Sequence, residues 1–281
     1  QFLSDRKKQA KKSFVSYLEI YPQGSNALSA HFVLAEIYFE ESEHDSALEH
    51  YQKLIDNKPN EYYEQALVRA TQVLVIKDMH LEAEDLWREL EIEAVYPENK
   101  RYAMFNLMRS YYQSQNLEEA QAKAEAVLEL KNIEVKVKWD AYEILAQTSI
   151  ALGDSIKAES AFKVLEKAPI DQLAAEAYYF RAHQNHKNKD YEKSNEVIAL
   201  LSQKFSSQPY WAAKSLLLMA KNFQAVKDAF QATYILESLI VNYKQFPEIS
   251  KEGETLLNQI KEKQAEQNAS LSQPNVINEI Q

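Results

Sequence analysis

No cysteine occurs anywhere in the chain, and glycine occurs only three times in 281 residues. The first absence excludes disulfides and thiolate metal sites, though it says little about redox compartment. The second excludes a phosphate-cradling loop of either nucleotide-binding type, because Gly24, Gly153 and Gly253 stand far apart. Proline is sparse too, at seven, so few residues interrupt helices. No apolar run approaches the roughly 18–20 residues that a helix needs to span a bilayer. Positive charge is in deficit, with 32 Lys and Arg against 42 Asp and Glu and a formal charge of −10. That balance argues against nucleic acid as a partner, since such binding rests on basic surface. A solvated acidic exterior is its simplest meaning.

What the chain has instead is a period. In SALEHYQKLIDNKPN, residues 46 to 60, Ala47, Tyr51, Leu54 and Ile55 share one helical face. The small residue recurs at Ala10, Ala47, Ala83, Ala120, Ala158, Ser194 and Ala232, in steps of 36 to 38 residues. Four positions later stand Phe14, Tyr51, Trp87, Ala124, Phe162, Ile198 and Leu236. A second helical pattern precedes each of these, as Leu34, Ala35 and Tyr38 precede Ala47. Its equivalents are Ala70, Thr71, Leu74, then Leu107, Met108, Tyr111, then Leu145, Ala146, Ser149. Short polar turns such as SEHDS, SQNLE, NKDYE and VKDAF separate the two patterns, several with a helix-starting Asp or Asn. Pro22, Pro59, Pro97, Pro169, Pro209 and Pro247 read as closing successive units.

The order Leu-Ala-x-x-Tyr, turn, Ala-x-x-x-aromatic-x-x-aliphatic, then Pro resembles the tetratricopeptide repeat. The unit at 28–61 fits best, with Leu34, Ala35, Tyr38, Ala47, Tyr51 and Pro59 in place. Further units are expected near 64–97, 101–134, 139–170, 175–208 and 213–246. The resemblance implies an all-α, right-handed solenoid over 1–248, with six full repeats after a leading half-repeat. A capping helix over 249–267 would follow, with Ile249, Leu256, Leu257 and Ile260 on its inner face, then a tail over 268–281. Gln1 opens on what reads as the second helix of a hairpin, so more repeats are expected upstream.

No enzyme is legible. His183 and His186 lie three apart on one face, but two ligands without a carboxylate do not make a metal site. Adjacent acids such as Glu118 and Glu119 sit at helix starts, where they favour the helix dipole, and no serine occupies a nucleophile elbow. No cofactor is expected. In the resembling family the first helix of each hairpin lines a groove, which places Phe32, Phe39 and Gln72 on its wall. Tyr102, Phe105, Arg109 and Tyr112 follow from the unit near 101, with Arg109 offering a planar fork for a carboxylate. Tyr179, His183, His186 and Lys221 come from the later units. The Lys and Asn pair of the family's chaperone-tail clamp is absent, since positions five and nine hold pairs such as Phe32 and Glu36.

The reading these features favour is a non-catalytic scaffold that binds a peptide or partner protein in its groove. The stretch YPQGSNALSAHFVLAEIYFE is similar to segments of bacterial envelope repeat proteins of the outer-membrane assembly lipoprotein and Tol-associated coordinator type. That similarity implies a periplasmic setting and a part in envelope assembly. Two alternatives stand beside it: a glycan-binding component of a nutrient-uptake system, and a non-catalytic arm of a longer enzyme. The first would need long loops around a sugar site.

Overall fold

The computed structural model describes the backbone of residues 2–271 and the side chains of 6–268. The expected tail therefore lies, from residue 272 onward, outside the described residues. Among those described, fourteen α-helices and no strands occur. They form two compact units, residues 1–153 and 154–281. The first unit holds α1 (Phe2–Ile20), α2 (Ala27–Glu40), α3 (His44–Asp56), α4 (Tyr63–Ile76) and α5 (His80–Glu93), then α6 (Pro97–Gln113), α7 (Leu117–Leu128) and α8 (Val135–Ala151). The second holds α9 (Ser155–Leu165), α10 (Asp171–Lys187), α11 (Tyr191–Lys204), α12 (Pro209–Ala225), α13 (Ala229–Asn242) and α14 (Pro247–Leu271).

From α3 onward the expected small residues lie inside the helix packing. Ala47, Ala83, Ala120, Ala158, Ser194 and Ala232 are all buried. Ser194 shows why size matters there: its hydroxyl donates to the backbone carbonyl of Ala182 on the facing helix at 2.8 Å. A larger side chain could not occupy so close a crossing without moving the two backbones apart. Tyr51, Trp87, Phe162, Ile198 and Leu236, four residues on, fill the space beside it and are buried. In α1 the same positions, Ala10, Phe14 and Tyr17, are only half-buried. Each second helix also packs against the first helix of the next hairpin, as α3 does on α4 and α11 on α12. The core is thus built up between successive helices, as in the clusters around Leu201 and around Leu239, and a single hairpin could not bury it alone.

The turns within hairpins are alike to the residue. Three residues separate α2 from α3, α4 from α5, α6 from α7, α8 from α9, α10 from α11 and α12 from α13. The second residue of each has positive φ: Ser42, Asp78, Gln115, Gly153, Lys189 and Lys227, between 60° and 79°. In the turn at Ser42 the Glu43 N–H donates to Tyr38 O at 2.9 Å and the Ser42 N–H to Phe39 O at 3.1 Å. This is a Schellman C-cap, which satisfies carbonyls that the ending helix leaves open. The same bonds recur at Asp78, Gln115, Lys189 and Lys227. Asp154 and Asp228 then cap the next helix, accepting from Lys157 N and Gln231 N at 3.0 Å. Asn116 and Asp190 hold the same place without a side-chain bond to the helix backbone.

The prolines act differently from the expectation. Pro97 and Pro209 stand in the first turn of α6 and α12, and Pro247 begins α14. They open the following helix, where a missing N–H costs nothing and a fixed φ is already helical. Pro59 and Pro169 do lie in the linkers between hairpins, which run from three to six residues. Ion pairs join successive hairpins at a sequence distance of 31 to 33: Glu36 with Arg69, Lys58 with Glu89, Lys123 with Glu91, and Lys221 with Glu252.

At the far end α14 lies over α13 and α12, burying Ile249, Leu256, Leu257 and Ile260 against Leu236 and Leu239. Gly253 makes this closeness possible: a Cβ there would stand 3.1 Å from Leu239 Cδ2. The capping helix is as expected, and longer by a few residues at each end.

Candidate functional site

In the first unit the expected wall residues are engaged in separate groups. Phe32 stacks on Tyr62 with ring centroids 4.7 Å apart. Phe39 lies under the Arg69 guanidinium at 5.0 Å. That guanidinium is held by Glu36, through Nε and Nη2 at 3.1 Å each, and donates to Gln72 Oε1 at 3.2 Å. Glu36 also accepts from the buried Tyr51 hydroxyl at 2.6 Å. Tyr102 and Thr71 share a hydroxyl contact at 3.3 Å. Arg109 does not present a free fork. Its Nε donates to Asp140 Oδ2 at 3.1 Å and its Nη2 reaches the same oxygen. Glu143, one turn beyond Asp140 on α8, is half-buried; burial first and Asp140 second push its carboxyl upward. Phe105 and Tyr112 are half-buried on the same helix as Arg109.

In the second unit the structure gathers the expected residues into one place. Tyr179, His183, His186 and Lys221 line a cavity of about 120 Å³ between α10, α12 and α14, floored by Leu217, Leu218 and Ile249. His183 stacks between Tyr179 and His186, at 6.1 and 6.3 Å. A buried polar chain fixes the second histidine. Asn222 donates to Ser194 Oγ at 2.8 Å and to Asn195 Oδ1 at 2.7 Å, which leaves its carbonyl to accept from His186 Nδ1 at 2.6 Å. Burial, then the positive charges around it, lower the His183 pKa from 6.5, so the ring is neutral at pH 7. Burial also pushes the Tyr179 phenol up to about 12, so it stays protonated as a donor.

Two residues that complete this cavity were absent from the expected set. Lys214 stands on α12, the first helix of its hairpin, and so on the expected wall, and its Nζ lies 5.0 Å from the Tyr179 ring centroid and 5.1 Å from that of Trp211. Glu252 reaches in from the capping helix and accepts from Lys221 at 2.7 Å. Its signal was the recurring interval of 31 residues. No group of three or more metal-binding side chains occurs among the described residues, and among them no helix is long and apolar enough to cross a membrane.

Stacked helical hairpins of this kind define a helical-repeat fold of tetratricopeptide-repeat type. Residues 9–62 match the family model described as Tetratricopeptide repeat. No curated protein matches the chain. Among solved structures it is similar to the C-terminal part of a TPR repeat-containing protein from Cytophaga hutchinsonii. That pair is 16% identical, covers 89% of this chain and 96% of the other, and has a TM-score of 0.55. A second is the structure of Naa15/Naa10 bound to HypK-THB, 13% identical, covering 96% of this chain and 43% of that one, at a TM-score of 0.52. A tetratricopeptide repeat protein from Parabacteroides merdae is 16% identical over 89% of this chain and 93% of its own, with a TM-score of 0.44. These likenesses concern the fold. Scaffolds of this type generally mediate protein–protein interaction and are generally non-catalytic.

Proposed function

We propose that this chain is a non-catalytic scaffold that binds an extended segment of a protein partner on its first-helix faces, anchored at the α10–α12–α14 cavity. The observation that carries the reading is the cavity itself. There half-buried aromatic and polar groups converge over an apolar floor, whereas Arg109 on the first-unit wall, and Arg69 beside Phe39 and Gln72, are already satisfied within the chain. Tyrosine and tryptophan in well-packed pockets are among the side chains that dominate binding energy in protein interfaces. The similar Naa15/Naa10 structure was solved bound to HypK-THB, which favours a binding role for this fold here too. The glycan-binding alternative finds no loop to build on, because no linker between described helices exceeds six residues.

The periplasmic setting and a part in envelope assembly remain proposals that rest on the stretch around Tyr21 to Phe39. Selection of peptides from a random display library against the whole chain tests the binding reading. Selected peptides should lose about 2 kcal/mol or more on Tyr179→Ala, with the variant shown to be folded. Peptides indifferent to Tyr179→Ala and Lys214→Gln, but displaced by changes at exposed Phe230 or Ile156, would overturn it.

A further inference from the structure

The cations on the first-helix faces differ in one respect. Arg69 is held by Glu36, Arg109 by Asp140 and Lys221 by Glu252. Lys214 has no ion pair among the described residues; what surrounds its ammonium instead is a platform of three rings. Its Nζ lies 5.0, 5.3 and 5.1 Å from the centroids of Tyr179, Tyr210 and Trp211. Ring faces attract a cation through their negative quadrupole, and they hold it in place without neutralising it. Lys214 is thus a positioned, half-buried and uncompensated positive charge at the edge of a recess.

The local balance is unusual for this protein. Lys214 and Lys221 are opposed by a single lining carboxylate, Glu252, so the recess carries a net positive charge in a chain whose formal charge is −10. The same field is felt by His183, whose protonation is disfavoured by Lys187, His186, Lys221 and Lys214 after burial itself. A volume of about 120 Å³ is several times the roughly 30 Å³ that one water occupies in the liquid, enough for a carboxylate and its methylene.

We propose that this recess recognises an acidic side chain, Asp or Glu, within the partner segment, and that Lys214 receives its carboxylate. The proposal rests on the reading of the wall as a peptide-binding surface and adds the partner's chemistry. Lys221 is the second contact, available when the incoming carboxylate displaces Glu252. The ring platform prepares the site by fixing the ammonium before the partner arrives, which reduces the side-chain entropy lost on binding.

The test uses the whole chain, fluorescently labelled, on an array of random dodecamer peptides, each printed in three versions with Glu, Gln or Lys at its centre. Among peptides whose binding falls on Tyr179→Ala, the Glu version should bind about tenfold more tightly than its Gln twin, a difference of about 1.4 kcal/mol. The Lys version should bind worst. Lys214→Gln should erase the preference for Glu, Lys214→Arg should retain most of it, and Glu252→Gln should strengthen it by freeing Lys221. Circular dichroism establishes that each variant is folded. Equal binding of Glu and Gln versions, still sensitive to Tyr179→Ala, would overturn the carboxylate and leave the peptide surface standing. Binding that Tyr179→Ala never affects would overturn both.

Discussion

Lowering the pH from 7 to 4 should loosen the α2–α3 hairpin through a single pair of rings. His31 Nδ1 and His50 Nδ1 stand 2.8 Å apart, so in the neutral state one donates and the other accepts. Protonating one ring leaves the other to accept through its remaining lone pair, but protonating both would bring two N–H groups face to face with no lone pair between them. The surroundings oppose charge as well. His50 is stacked on Tyr38 at 5.4 Å, and burial first, then His31, bring its pKa down from 6.5 to about 4, with Lys53 acting the same way and Glu49 against it. His31 is lowered too, by burial and then Lys53. A histidine whose folded pKa lies below its unfolded value stabilises the fold fully above the unfolded value, and that contribution fades as pH falls through the folded one. The window is therefore about pH 6.5 down to 4, and the magnitude is about 2–3 kcal/mol for His50 after allowance for its partial exposure. The assay is urea unfolding at steps across that window, wild type beside His50→Phe, which keeps a ring on Tyr38 and removes the titration. The wild type should lose about 2 kcal/mol more than the variant. Histidine NMR supplies the direct check: a His50 midpoint near 6.5, or equal pH slopes for the two proteins, would refute the reasoning.

Tyr51→Phe should cost about 1.5 kcal/mol, because it removes one hydrogen bond to the charged Glu36 while Arg69 still holds that carboxylate. Tyr51→Ala, at a position with no exposure, should cost about 3–5 kcal/mol by the loss of buried surface and the cavity left behind; both are read from urea midpoints. Lys227→Gly and Gln115→Gly should stabilise by up to about 1 kcal/mol, since each relieves a side chain held at φ above 60°, and Gly153→Ala should destabilise by a similar amount. Unchanged thermal midpoints in all three would contradict the turn analysis. Removal of residues 247–281 should uncover Leu236 and Leu239 and drive association, visible by light scattering; a monomeric product as stable as the whole chain would show that α14 is not a cap.

The core was legible because it repeats. A small residue at a crossing and a large one a turn later are sampled seven times, so degenerate copies such as Ala124, in the place of Tyr51, do not hide the pattern. The prolines were legible in position but not in role, because Pro97 serves equally as the end of one unit or the first turn of the next, and helix geometry decides for the second. The left-handed turn residues gave no signal. Ser42, Asp78, Gln115, Lys189 and Lys227 share no chemistry, and only Gly153 has the composition that such a backbone favours. The candidate wall residues fall into two groups. Tyr179, His183, His186 and Lys221 do converge, whereas Arg109 was expected to reach outward and is held by Asp140, 31 residues away. Position along a helix tells which face a side chain takes, but not which neighbour claims it.

The invariant three-residue turns and the variable linkers divide the chain into places where its length is fixed and places where it is free. Adding a residue inside a turn would rotate the second helix by about 100° against the first, carrying Ala47 or Ser194 out of its crossing. Between Asp56 and Tyr63, or between Lys204 and Pro209, the connection already varies in length from joint to joint, so an added residue is expected to be absorbed in the linker. New sequence can therefore enter this protein at its joints, and whole hairpins can be gained or lost there as modules, with the left-handed turn as the hinge pin that keeps each module intact.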